Sequence, residues 1–114
     1  MPSAAQGASP LEEKIESALR KITDLLQEEV QRRTPVRTGH LQASIFGEVF
    51  YPTGVVATDV AYGVPVEFGW TSSRGREVPG RHMFENALLE SLDKIEEILA
   101  EEITEGVRLT IQGP

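Results

Sequence analysis

The side chains equipped for chemistry are few. They are two histidines (His40 and His82), one carboxylate in an apolar run (Glu67), and an arginine-rich stretch carrying Trp70, Arg74, Arg76 and Arg81. A metal site needs ligands that converge, such as two histidines at i and i+4 on one helix face. His40 and His82 lie in different segments, and neither has such a partner. Glu67 stands beside Phe68, where burial could perturb it. Acid–base work needs a second group, and the expected role is a carboxylate bonded to nearby backbone. An enzymatic reading would require Glu67 and His40 to converge in a pocket. "GWTSSRG" (residues 69–75) places glycines six apart but lacks the lysine and hydroxyl of a phosphate loop. No serine stands in a nucleophile elbow. The absence of cysteine removes thiolate nucleophiles, thiolate zinc ligands and disulfides. The chain reads as a non-enzyme, with no catalytic residue, cofactor or metal expected.

Trp70, Arg74, Arg76 and Arg81 suit a protein contact, since tryptophan and arginine are enriched at interface hot spots. The alternative is a nucleic-acid module, because the same residue types stack on bases and reach phosphates. The net charge of −7 decides between them: residues 82–105 hold eight acids and one lysine, which is the whole of the excess. A general polyanion binder carries the opposite sign, so a protein partner is favoured.

These residues have to be positioned by a domain of ordinary size. Residues 1–9 read as a flexible arm rather than a leader, and 10–114 as one domain. Ser9-Pro10-Leu11-Glu12 is a helix start with a capping serine, a proline in the first turn and a capping-box glutamate. Leu11, Ile15, Ala18, Ile22 and Leu26 follow as an amphipathic stripe, and Pro35 ends the helix at Thr34. From Ile45 the period changes to two, with Phe46 and Phe50 on one face and Ile45, Val49 and Tyr51 on the other. A type I turn is expected over 51–54, with 55–58 as the returning strand. Residues 60–69 are ambiguous between helical turn and strand, and 69–81 read as a long exposed loop. A second helix starts near Arg81. Its expected buried stripe is Phe84, Leu88, Leu92, Ile95, Leu99 and Ile103, with Glu90, Asp93, Glu97 and Glu101 as an acidic stripe on the far side. Gly106 is expected to stop it, and alternation in 107–112 predicts a final strand. The fold class is α+β: two long helices packed on one face of a small, mostly antiparallel sheet, in the order helix, strands, loop, helix, strand. No run approaches the length of a membrane span.

Three stretches then stand out in order: Pro35, Thr38-Gly39, Leu41 and Ser44-Ile45; Tyr62 to Gly69, "YGVPVEFG"; and Pro79, Met83-Phe84 and Ala87-Leu88. Together they resemble the neck and tail-completion proteins of long-tailed bacteriophages, the minor tail or head–tail joining family, over about residues 10 to 105. The chain departs from that pattern at Trp70 and at Gly63. The resemblance implies a structural virion protein, made in the host cytoplasm, that joins neck to tail tube. It implies a homo-oligomeric ring, commonly six-fold, that meets neighbouring neck and tail-tube proteins and lets the genome pass without binding it specifically. The acidic stripe would face that lumen or a partner. From the residues themselves, Thr38 is expected to cap a short turn over Gly39–Ser44 and Gly39 to permit close backbone approach. Leu41 and Ile45 then enter the core. Glu67 and Gly69 are expected to form a second corner facing the first.

Overall fold

The local signals at Ser9 produce the helix they predict. In the computed structural model, which describes residues 9–36 and 39–112, the Glu12 N–H donates to Ser9 Oγ at 3.2 Å and opens α1, Pro10–Arg33. Thr34 is extended, with its hydroxyl donating to the Val30 carbonyl at 2.7 Å, and Pro35 follows. Next come α2 (His40–Ser44), β1 (Phe46–Phe50), β2 (Thr53–Ala57), α3 (Gly63–Phe68), β3 (Gly69–Thr71), β4 (Glu77–Pro79) and α4 (Met83–Gln112). The architecture is α+β, with two long helices packing against a small antiparallel sheet. The strands form two separate hairpins, β1–β2 and β3–β4.

The two helices lie antiparallel in one register. Arg33 pairs with Glu90, Lys21 pairs with Glu102, and the Leu11 N–H donates to Thr110 Oγ1 at 3.1 Å. This pairing overturns the expected strand at 107–112: α4 continues through Gln112. The period-two pattern of Val107, Leu109 and Ile111 loses to docking on α1. Gly106 is accordingly no stop. It sits buried inside α4, where a Cβ would come within 2.9 Å of the Leu11 Cα, so glycine is what lets the helices approach there.

The buried side of α4 is also rotated from expectation. Met83, Ala87, Ser91, Glu102 and Gly106 are buried, whereas Leu88, Leu92 and Ile103 of the expected stripe stay 46%, 44% and 39% exposed and Phe84, Ile95 and Leu99 are half-buried. Small residues at the contact bring α1 close and leave the larger side chains beside the seam rather than in it.

In β1–β2 the turn is Tyr51-Pro52, joined by a cis peptide, so Thr53 and Gly54 belong to the strand and not to a type I turn over 51–54. The hairpin lies on α1, with Gly47 and Gly54 against Thr23. The expected loop at 69–81 is the second hairpin. Gly75, at φ 79°, turns the chain, and Ser72 N–H donates to the Arg76 carbonyl at 2.7 Å. The ambiguous stretch before it is helical in α3.

The core gathers Val30, Leu41, Ile45, Met83 and Ala87, with Val56, Val60, Val66 and Phe84 packed against them. It occupies the end of the molecule where α1 finishes and α4 begins. The rest is a two-helix stalk carrying the first hairpin. The extents are 66 × 29 × 20 Å and the radius of gyration is 17.9 Å, against about 13 Å for a compact chain of this length.

Candidate functional site

Glu67 holds the second corner together. Its residue is 5% exposed, and its two carboxylate oxygens accept from two amides in the first turn of α4: Phe84 N–H at 2.9 Å and Glu85 N–H at 3.1 Å. Helix N-termini leave such amides unpaired and carry a partial positive charge, so a buried anion there is doubly stabilised. The backbone closes the same corner, with Arg81 N–H donating to the Val66 carbonyl at 2.7 Å and His82 N–H to the Glu67 carbonyl at 3.0 Å. Gly69, at φ 91°, makes the bend, and a Cβ there would meet the Val78 carbonyl oxygen at 2.6 Å.

His82 comes to this corner as well, at φ 48°. One ligand atom each from Glu67, His82 and Glu85 lies within 4.8 Å of the others. The arrangement suits a cation poorly. Both Glu67 oxygens already accept amides, and the positive end of the α4 dipole opposes a second positive charge. His82 Nδ1 stands 3.1 Å from Glu85 Oε2 but out of line for a hydrogen bond. His40 lies elsewhere, its ring tilted against Tyr62 with centroids 6.3 Å apart. Glu67 and His40 therefore do not form the acid–base pair that an enzymatic reading requires.

The first corner is built differently from expectation. Gly39 is the cap residue of α2 with φ 63°, and no atom lies within 4 Å of where its Cβ would be. Glycine serves the left-handed backbone there, not close approach. Thr38, expected to cap the turn, lies outside the described residues, as do residues 1–8 of the expected arm. Leu41 and Ile45 are buried.

The two corners border one groove of about 790 Å³. One wall is Pro35, Val36 and Leu41. The other is Tyr62, Pro65 and Val66 of the α3 region with Trp70, Val78 and Pro79 of the second hairpin. Among the described residues Arg81 is the only charged one of the lining. The Trp70–arginine group is thereby divided. Trp70, 51% exposed, and Arg81 line the groove, whereas Arg74 and Arg76 are exposed in the hairpin turn.

Glu90, Asp93, Glu97 and Glu101 are all exposed on α4. Glu90 is tied to Arg33 and Glu97 to Lys94, so the stripe is partly neutralised from within. The hydrogen bonds that Arg33 donates to Glu90 and then to Glu29 hold its guanidinium above its usual range. The Lys21 ammonium, by hydrogen bond and charge, holds Glu102 below the usual glutamate range.

Two apolar faces stand open beside these features. One is the Leu88, Leu92, Ile103 and Val107 strip of α4. The other is the outer face of β1–β2, with Phe46 37%, Phe50 63% and Val55 38% exposed. The alternation of Phe46 and Phe50 was the sequence signal for the second, since both fall on the face away from α1.

Over residues 5–69, from before α1 to the end of α3, the sequence matches the family described as "Bacteriophage HK97-gp10, putative tail-component". The chain belongs to this family. The match contains both corners, at Pro35–Ile45 and at Glu67–Gly69. No curated protein and no solved structure gives a match. A tail component is a structural part of the virion that works against other virion proteins, in keeping with the neck and tail-completion resemblance in the sequence. No helix among the described residues is long and apolar enough to cross a membrane.

Proposed function

We propose that this tail component is an adaptor of the head–tail connector, joining neck to tail tube as a closed homo-oligomeric ring, six-fold to match the tail. The observation that carries the reading is the imbalance between core and surface. Among the described residues the buried apolar side chains are Ala18, Val30, Leu41, Ile45, Met83 and Ala87, while Phe50, Val64, Phe68, Trp70, Leu89 and Ile111 are each more than half exposed. Contiguous exposed apolar surface marks an interaction face. Several such faces pointing different ways suit a subunit with neighbours on more than one side, and head-to-tail contacts between identical subunits close into rings when the rotation allows. The acidic stripe of Glu90, Asp93, Glu97 and Glu101 faces the lumen, where like charge keeps passing DNA from adhering.

The test is mass measurement in solution with negative-stain imaging, on the protein alone and with purified tail tube. Rings in either condition support the reading. A monomer in both, with no density added to the tube end, refutes it.

A further inference from the structure

We infer that the ring contact is a heterologous one in which the β1–β2 outer face of one copy seats in the groove between the two corners of the next. This rests on the homo-oligomer reading above and names the surfaces that make it. The two surfaces are complementary in composition and charge. The outer face presents Phe46, Glu48 and Phe50, with Val55 directly across from Glu48. Alternation puts the carboxylate about 7 Å along the strand from each aromatic position. The result is an apolar ridge with one negative charge at its middle. The groove is the converse: about 790 Å³, walled by proline, valine, leucine and aromatic side chains, with Arg81 as the single charge among the described lining residues.

Both charges are exposed, and neither takes part in a salt bridge among the described residues. An unpartnered guanidinium beside an apolar groove selects a carboxylate flanked by apolar groups. Glu48 supplies one, and Phe46 and Phe50 supply the bulk to displace water from the groove. The ridge lies on the hairpin that packs along α1, and the groove lies past the end of α1, so the contact joins different patches of identical copies. Such a contact propagates around a ring and does not stop at a two-fold dimer.

The experiment compares the unaltered protein with Glu48→Arg, Arg81→Glu and the double exchange, in whichever condition the unaltered protein forms rings. Assembly is read by mass photometry and imaging, and folding by circular dichroism. Each single reversal sets like charges together and weakens association by about ten-fold or more, and the double exchange restores it to within about three-fold. A second measurement uses the absence of cysteine: Phe50→Cys protein mixed with Val36→Cys protein forms a disulfide-linked heterodimer on oxidation. Rings that persist in both single variants, or a double exchange without rescue, overturn this contact and leave the ring standing. Unaltered protein that assembles in neither condition overturns both.

Discussion

Replacing Glu67 isolates the interaction that sets the second corner. In Glu67→Ala the amides of Phe84 and Glu85 lose acceptors now at 2.9 and 3.1 Å. Loss of a helix cap costs about 1 kcal/mol. Loss of a buried anion at the helix N-terminus adds up to about 2 kcal/mol. An amide left unpaired in a partly buried site costs about 1 kcal/mol or more. These overlap, because they describe the same two hydrogen bonds, and a total near 3 kcal/mol is the expected destabilisation, with 2 to 4 as the range. At roughly 4 °C per kcal/mol for a chain of this size, the melting temperature falls by about 12 °C. Glu67→Gln keeps one acceptor oxygen but turns an amide NH2 toward the other N–H, so about half that loss is expected. Melting is followed by circular dichroism at several protein concentrations, because association adds to apparent stability. Glu96→Gln, on the exposed face of α4, serves as the control and stays within about 0.5 kcal/mol. A fall below about 2 °C for Glu67→Ala, or equal falls for the alanine and glutamine variants, would refute the capping role.

Gly106→Ala should destabilise, although alanine ordinarily favours a helix interior over glycine by about 1 kcal/mol. The new methyl meets Leu11 Cα at 2.9 Å, so the expected effect is a loss of 1 to 3 kcal/mol, roughly, in urea unfolding. Glu102 is held below the usual glutamate range first by the hydrogen bond from Lys21. Its contribution is therefore complete above the ordinary glutamate value and lost as pH falls through the lowered folded value. The urea midpoint of Glu102→Gln should fall less steeply with acid than that of the unaltered protein, with some slope persisting because Glu29 and Glu105 are shifted in the same direction. Leu92→Gln, at a position 44% exposed, should leave the monomer's unfolding within about 0.5 kcal/mol while weakening any association seen by sedimentation. Reversing Asp93, Glu97 and Glu101 to lysine tests the lumen, with Glu90 kept because it is tied to Arg33. DNA ejection should slow at low salt, and unchanged ejection counts against a lumen-facing stripe.

The parts of the fold that the sequence disclosed are those whose causes are local. α1 begins and ends at its own capping serine and terminal proline, and the strands from Ile45 follow their period. The failures share a different origin. Residues 107–112 alternate as a strand would, yet a helix wins because the Leu11 amide and the Gly106 gap lie about a hundred residues apart in sequence and together only in the fold. Trp70, Thr71 and Val78 are β-prone residues on either side of "SSRG", a hairpin signal outweighed by the glycines and serines around it. The capping role of Glu67 is invisible to a capping-box rule, because its acceptors serve amides 17 and 18 residues later. The groove is less legible still, since its walls come from segments near 35, 62–66, 70 and 78–81.

The same division explains why the surface looks unfinished. A stripe of Leu88, Leu92, Leu99 and Ile103 at helical spacing is ordinarily enough to predict a buried face. Here α1 docks on the small-residue side at Ala87, Ser91 and Gly106, leaving Leu88, Leu92 and Ile103 of that stripe exposed and Leu99 half-buried. This docking exchanges burial within one chain for close helix contact, which a monomer seeking its own stability has no reason to do. A tail component has one, because the apolar area left open on α4 and on the outer face of β1–β2 is available to a neighbour. Burial at about 25 cal/mol per Å² makes even 400 Å² of such surface worth roughly 10 kcal/mol before the cost of association. Completion by other virion proteins, and not a larger internal core, is then what the open apolar faces of a tail component serve.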